Sequence, residues 1–79
     1  MLTYTIYDAD PAVSGPCAWP DFEDIEIDAN PCDALAKALR VAEHVGMRCG
    51  EYNAGDRLFV LVWNEAGTIV ASGSIILTR

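Results

Sequence analysis

Helical periodicity occurs in one segment of this chain, and segments of period two lie on both sides of it. Between Asn30 and Gly46, apolar residues recur at helical spacing: Leu35, Ala38, Leu39, Ala42 and Val45. This pattern predicts an amphipathic helix with one apolar face. Asn30 is expected to be the N-cap, with Pro31 at the first helical position. Gly46 is expected to end the helix in the left-handed conformation.

Four segments around this helix have the residue patterns of β-strands. They are Leu2 to Tyr7, Phe22 to Asp28, Arg57 to Trp63 and Thr68 to Thr78. The third is apolar on both faces, which predicts a central strand, whereas the charge on the second suits a sheet edge. We therefore predict an α+β fold of order ββαββ, in which a four-stranded, mainly antiparallel sheet carries one helix on one face. At 79 residues, the chain is expected to form a single domain spanning residues 1–79.

Turn-forming residues mark the connections between these segments. Residues 8–20 contain three prolines and one glycine, which predict a loop of about a dozen residues. A second loop is expected at residues 47–56. Residues 64–67 are expected to form a hairpin turn with Gly67 in the left-handed conformation. Gly73, inside the last strand, is expected to mark a bulge.

The second face of the predicted sheet has no helix to cover it. It is therefore expected to be solvated or to bind another molecule. The side chains that could lie on it are Thr3, Thr5, Tyr7, Val70, Ser72, Ser74, Ile76 and Thr78. Because some of these are apolar, this face is a candidate surface for a dimer or a partner.

Acidic residues are concentrated in the first half of the chain. Residues 1–36 contain eight carboxylates and no Lys or Arg, whereas residues 37–79 contain four carboxylates and all five basic residues. The halves thus carry −8 and +1, which give the net charge of −7. Such a charge selects positively charged partners. It disfavours direct binding to nucleic acid or to anionic membranes.

The densest part of this charge predicts a partner-binding ridge. Five carboxylates fall within eight residues: Asp21, Glu23, Asp24, Glu26 and Asp28. On a strand they would dock onto Arg and Lys side chains of a larger protein, and a row of carboxylates could imitate the phosphates of nucleic acid. Asp8 and Asp10 are candidates to extend the ridge. Trp19 is a candidate anchor, or else a buried ring that holds its loop, while Trp63 is expected to lie in the core.

Two other interpretations of the acidic segment remain open. It can be a solvated face that serves solubility, in a small structural or regulatory module that self-associates through its open sheet face as a homodimer. Alternatively, its oxygens can bind a divalent metal, although the chain has no calcium-loop pattern. Because the chain has no calcium-loop pattern, the expectation is no metal and no cofactor.

No residue pattern in the chain indicates an enzyme. Cys17, Cys32 and Cys49 are an odd number of cysteines, expected to be free thiols. Cys32 would need a base, but His44 lies about 18 Å further along the same helix. A zinc site formed by His44, Cys49 and Cys17 would have no fourth ligand. We therefore predict a non-enzymatic protein.

The location expected for this protein is the cytoplasm. No stretch of the sequence approaches the roughly 18 apolar residues of a membrane span. Residues 1–5 do not have the charged start of a signal peptide.

With its acidic strand, its single helix and its ββαββ order, the chain resembles the anti-CRISPR proteins, which are small inhibitors encoded by phages and mobile elements. The resemblance concerns size, charge and element order, and no motif accompanies it. It implies an inhibitor that occupies the nucleic-acid groove of a CRISPR effector or blocks its nuclease in the host cytoplasm. It assigns no role to individual residues.

Overall fold

The computed structural model describes residues 1–9, 22–48 and 54–77. Within these ranges the elements are β1 (Leu2–Tyr7), β2 (Ile25–Ile27), α1 (Pro31–Arg48), β3 (Arg57–Trp63) and β4 (Ile69–Ile76). The order ββαββ and the α+β class are thus as predicted. The predicted loop at residues 8–20 lies almost wholly outside the described residues.

The four strands form one sheet in the order β2-β1-β3-β4, and every neighbouring pair is antiparallel. The prediction that β3 is a central strand is confirmed. β2 lies at one edge, where the charge on its segment suggested it would lie, and β4 lies at the other. Alternate residues of β1 and β3 form the two faces, since Tyr4 pairs with Val62 and Thr3 pairs with Trp63.

Small residues on α1 allow the helix to lie close to the sheet. Its buried positions follow one another at intervals of four: Ala34, Ala38, Ala42 and Gly46. They face the buried sheet residues, which include Ile6, Leu58, Val60, Val62 and Leu77. The predicted apolar stripe is therefore correct in its spacing, but its centre lies on the alanines, while Leu35 and Leu39 are half-buried at its side.

The prediction that Gly46 ends the helix is wrong, because α1 continues to Arg48. A Cβ atom at Gly46 would lie 2.9 Å from Cδ1 of Leu58 and 3.0 Å from both Cδ atoms of Leu77. A glycine stands here because the helix and the sheet leave no room for a side chain. The predicted loop at residues 47–56 is also wrong at its start, because Met47 and Arg48 belong to α1.

The predicted N-cap of α1 is confirmed. The side-chain oxygen of Asn30 accepts a hydrogen bond from the backbone N–H of Asp33 at 2.9 Å. The amide of Asn30 donates to the Asp33 carboxylate at 3.1 Å, and the Asn30 carbonyl accepts the first helical bond from Ala34 at 2.8 Å. The bond from the Asp33 N–H satisfies one of the donors that every helix start leaves open.

We expect Asn30→Ala to lower the free energy of unfolding by about 1 kcal/mol, because the side-chain acceptor for the Asp33 N–H is lost. Urea denaturation followed by circular dichroism measures the change. Asn30→Ser is the control, since serine also caps helices and should lose much less. Equal stability of Asn30→Ala and the wild type would contradict the proposed contribution of the cap.

The acidic strand is shorter than predicted, beginning at Ile25 rather than at Phe22. Asp24 interrupts the extended backbone, with φ at 52°, a left-handed conformation that Asp tolerates better than most residues. Its backbone N–H donates a hydrogen bond to the Thr5 hydroxyl at 3.0 Å. The hydrogen bond to Thr5, a buried residue of β1, therefore determines that the chain turns into β2 at Asp24.

The hairpin between β3 and β4 has the predicted turn, with Gly67 at φ 81° and its N–H bonded to the Asn64 carbonyl at 3.0 Å. The bulge prediction at Gly73 is wrong, because pairing is regular there and the register shifts between Val62 and Trp63 instead. Gly73 instead lies under the helix, where an added Cβ would be 3.4 Å from Leu35. The last strand ends at Ile76, and Thr78 lies outside the described residues.

Candidate functional site

The sheet face opposite α1, which was expected to be solvated or to bind another molecule, is only partly open. Thr5 and Tyr7 lie on it and are 1% and 8% exposed. Val70 and Ile76, by contrast, are exposed at 36% and 45%. Access to this face therefore differs between its β1 side and its β4 side.

A groove of about 540 Å³ lies at the end of this face where β1 begins. Its floor crosses three strands, because Glu26 of β2 pairs with Thr3 of β1, and Thr3 pairs with Trp63 of β3. Asp24 and Glu65 complete its acidic lining. We call this feature the acidic groove, and its remaining lining residues are Met1, Asn64 and Gly67.

The hairpin turn holds Glu65 beside Trp63. The side-chain oxygen of Asn64 accepts hydrogen bonds from the backbone N–H groups of Ala66 and Thr68, each at 3.0 Å. The Asn64 N–H also donates to the Thr68 carbonyl at 3.0 Å. These three bonds fix the backbone of the turn. The backbone therefore sets the position of Glu65.

One positive charge already lies against the acidic groove. The N-terminal ammonium of Met1 donates a hydrogen bond to Glu65 and forms an ion pair with it. This hydrogen bond is the main cause of the raised pKa of the Met1 ammonium, and the charges of Asp28 and Glu26 act in the same direction. The same bond lowers the pKa of Glu65. The Met1 ammonium and the Glu65 carboxylate thus stabilise each other's charged forms.

Tyr7 marks the other end of the acidic segment. Burial raises the pKa of Tyr7, its hydrogen bond with Thr5 lowers it, and the charges of Asp24 and Glu23 raise it further. Carboxylates therefore raise pKa values near both ends of β1. Glu23 and Asp24 raise that of Tyr7, and Glu26 and Asp28 raise that of the Met1 ammonium.

The structure places the predicted ridge residues unequally. Glu23, Asp24, Glu26 and Asp28 are all exposed, but only Asp24 and Glu26 line the acidic groove. The prediction that these acids lie on one strand is wrong, because β2 spans only three residues. Asp8 is exposed beyond the far end of β1, five residues and so roughly 16 Å from Thr3. Three predicted site residues lie outside the described ranges: Asp10, Trp19 and Asp21.

Sequence reasoning did not find Glu65 and Trp63 as parts of this site. Trp63 was expected in the core, yet it is half-buried and lines the acidic groove. Leu58, Val60 and Val62 are the buried residues of β3 on the face that α1 covers. Trp63 directly follows Val62, so its side chain lies on the other face. That alternation, together with the turn that follows directly, is the pattern that could have indicated the site.

Other chemistry is limited in the described part of the chain. No three His, Cys, Asp or Glu residues there are grouped to hold a metal ion. The thiol of Cys32 is free and exposed, while Cys17 and Cys49 lie outside the described residues. No helix in the described ranges is long and apolar enough to cross a membrane.

Comparison of the chain with protein-family models, curated proteins and solved structures found no match.

Proposed function

We propose that this chain is a non-enzymatic binding protein whose acidic groove docks onto a basic surface of a larger protein. The observation that carries the proposal is the meeting of three carboxylates, Asp24, Glu26 and Glu65, around the half-buried ring of Trp63. Residues from β2, the hairpin turn and β3 contribute to it. Glu23 and Asp28 extend the negative surface on either side.

The chemistry of the acidic groove fits an arginine side chain. A guanidinium group can donate two hydrogen bonds to one carboxylate and lie flat against an aromatic ring. Contact with the face of Trp contributes about 0.5–1 kcal/mol at an exposed site. The ammonium of Met1 beside Glu65 supports the preference for a cation, and a partner arginine would compete with it.

The partner in this proposal is a protein surface that otherwise binds nucleic acid. A chain with net charge −7 is attracted to the same basic groove as a row of phosphates, and both displace its counterions. The resemblance to anti-CRISPR proteins leads us to propose a CRISPR effector, in the cytoplasm of the host cell, as the first complex to test. The chain would then inhibit by occupying the site of the target DNA.

We expect Glu26→Lys to weaken binding by tenfold or more, which corresponds to about 1.4 kcal/mol. The first probe is an oligo-arginine peptide titrated by calorimetry. The second is a purified CRISPR effector, from which the wild-type chain should displace target DNA in a mobility-shift assay. Higher salt should weaken both interactions, because exposed charges are screened.

Glu43→Lys is the matched control for this experiment. It makes the same charge change at an exposed position, but on α1, which covers the other face of the sheet. It should retain most of the binding. If Glu26→Lys binds the peptide as tightly as the wild type, or if both variants lose affinity equally, the acidic groove is not the binding site.

A further inference from the structure

The two edges of the sheet differ in how they are protected against pairing with another strand. β2 spans only three residues, carries the exposed Glu26, and begins beside Asp24 with its φ of 52°. Short length, charge and irregular backbone are the usual protections of an edge strand. β4 spans eight residues, and the segment from Ala66 to Leu77 contains no charged residue and no proline.

Hydrogen bonds at the end of β4 show which of its backbone groups point outward. The Leu77 N–H donates to the Asp56 carbonyl and the Leu77 carbonyl accepts from the Gly55 N–H, both at 2.7 Å, so Leu77 bonds toward β3. Because bonding direction alternates along an antiparallel strand, the backbone of three residues points away from the sheet: Ser72, Ser74 and Ile76. Val70 lies at the register shift between β3 and β4. In the described ranges no strand pairs with this edge.

The order of polar and apolar residues in β4 is the same when it is read in either direction from Gly73. On moving outward from Gly73, Ser72 matches Ser74, Ala71 matches Ile75, and Val70 matches Ile76. We propose that β4 pairs antiparallel with β4 of a second copy of this chain, with Gly73 opposite the partner's Gly73. The two sheets then form one sheet of eight strands around a two-fold axis.

This register brings the exposed apolar side chains of the edge together. Val70 and Ile76 are 36% and 45% exposed in the single chain. In the dimer Val70 lies directly opposite the partner's Ile76, and the pair occurs twice because of the symmetry. Direct cross-strand apolar pairs stabilise a sheet, and the same pairing satisfies the outward backbone groups.

The charge on β2 does not oppose this dimer. β2 lies at the edge opposite to β4, so the two acidic edges would be separated by seven strand spacings, about 34 Å. The Debye length at physiological salt is about 8 Å. Both acidic grooves would remain accessible, so that the dimer would offer two binding sites to a partner with repeated basic surfaces.

Sedimentation equilibrium tests this proposal, and we expect the wild type to have twice the monomer mass of 8.6 kDa. Val70→Lys combined with Ile76→Lys places lysine opposite lysine at both pairs and should give the monomer. Val70→Lys combined with Ile76→Glu places lysine opposite glutamate and should restore the dimer. Circular dichroism confirms that each variant is folded.

Three outcomes would overturn the proposal. They are a wild type that remains monomeric at the highest soluble concentration, a dimer that survives the two lysines, and a lysine–glutamate variant that remains monomeric. The wild-type dimer should persist at high salt, since its interface is uncharged. Peptide binding by the acidic groove is salt-sensitive and is measured on the monomeric variant as well, so the two proposals fail separately.

Discussion

Replacing Gly46 by leucine is expected to lower the free energy of unfolding by about 3 kcal/mol, as forcing a side chain into a filled core does. Even a Cβ at this position would lie 2.9 Å from Leu58 and 3.0 Å from Leu77. Both leucines are essentially unexposed and have little room to move. A chain of 79 residues has a total stability of about 4–12 kcal/mol. Guanidinium denaturation followed by circular dichroism measures the loss.

Two further variants separate overpacking from a change in helix propensity. Gly46→Ala gains about 1 kcal/mol of propensity, so any net loss of stability comes from the close contact. Leu58→Ala alone should cost about 3 kcal/mol through the cavity that it leaves. In the double variant Gly46→Leu with Leu58→Ala, the new leucine fills part of that cavity. The double variant should therefore lose at least 1 kcal/mol less stability than the sum of the losses in the two single variants. Additive costs would contradict direct contact between these positions.

Replacing Thr5 by valine is expected to cost about 2 kcal/mol, because the partly buried N–H of Asp24 would lose its acceptor and Tyr7 would lose its hydrogen bond with the same hydroxyl. Thr5 is 1% exposed, and its hydroxyl accepts that N–H at 3.0 Å. Valine has nearly the same shape as threonine but cannot accept a hydrogen bond. The same substitution should weaken binding of the oligo-arginine peptide, since Asp24 lines the acidic groove and would no longer be held.

Thr5→Ser is the control for this prediction, because it keeps the hydroxyl and removes only the methyl group. It should retain peptide affinity even if the lost methyl lowers stability. Amide hydrogen exchange at Asp24 gives a local measurement, with faster exchange expected in Thr5→Val than in Thr5→Ser. Equal exchange in the two variants would show that the hydroxyl does not hold the turn.

Local sequence patterns predicted the elements whose causes are themselves local. The limits of β1 and β3 follow from alternation and from continuous apolar character, and the start of α1 follows from the cap at Asn30. The turn at Gly67 follows from residues within four positions of one another. In each case the interacting groups are close in the chain, so that the order of residues is enough.

The prediction failed where a distant residue decides the local backbone. Gly46 looks like a helix stop in sequence, yet Leu58 and Leu77 make it a contact position. The alternation of the acidic segment continues through Asp24, but the hydroxyl of Thr5, 19 residues earlier, turns the chain there. The register shift at Trp63 likewise depends on its pairing with β4, which no single strand reveals.

The sequence by itself determined that this protein is an α+β domain with a strongly acidic first half, because periodicity and charge are properties of neighbouring residues. Only the tertiary structure decided which acids lie together. Strand pairing joins Glu26, Thr3 and Trp63 across the sheet, and the hairpin turn adds Glu65. It also placed β2 and β4 at opposite edges of the sheet. These facts depend on strand order and register, which arise from packing between segments far apart in the chain.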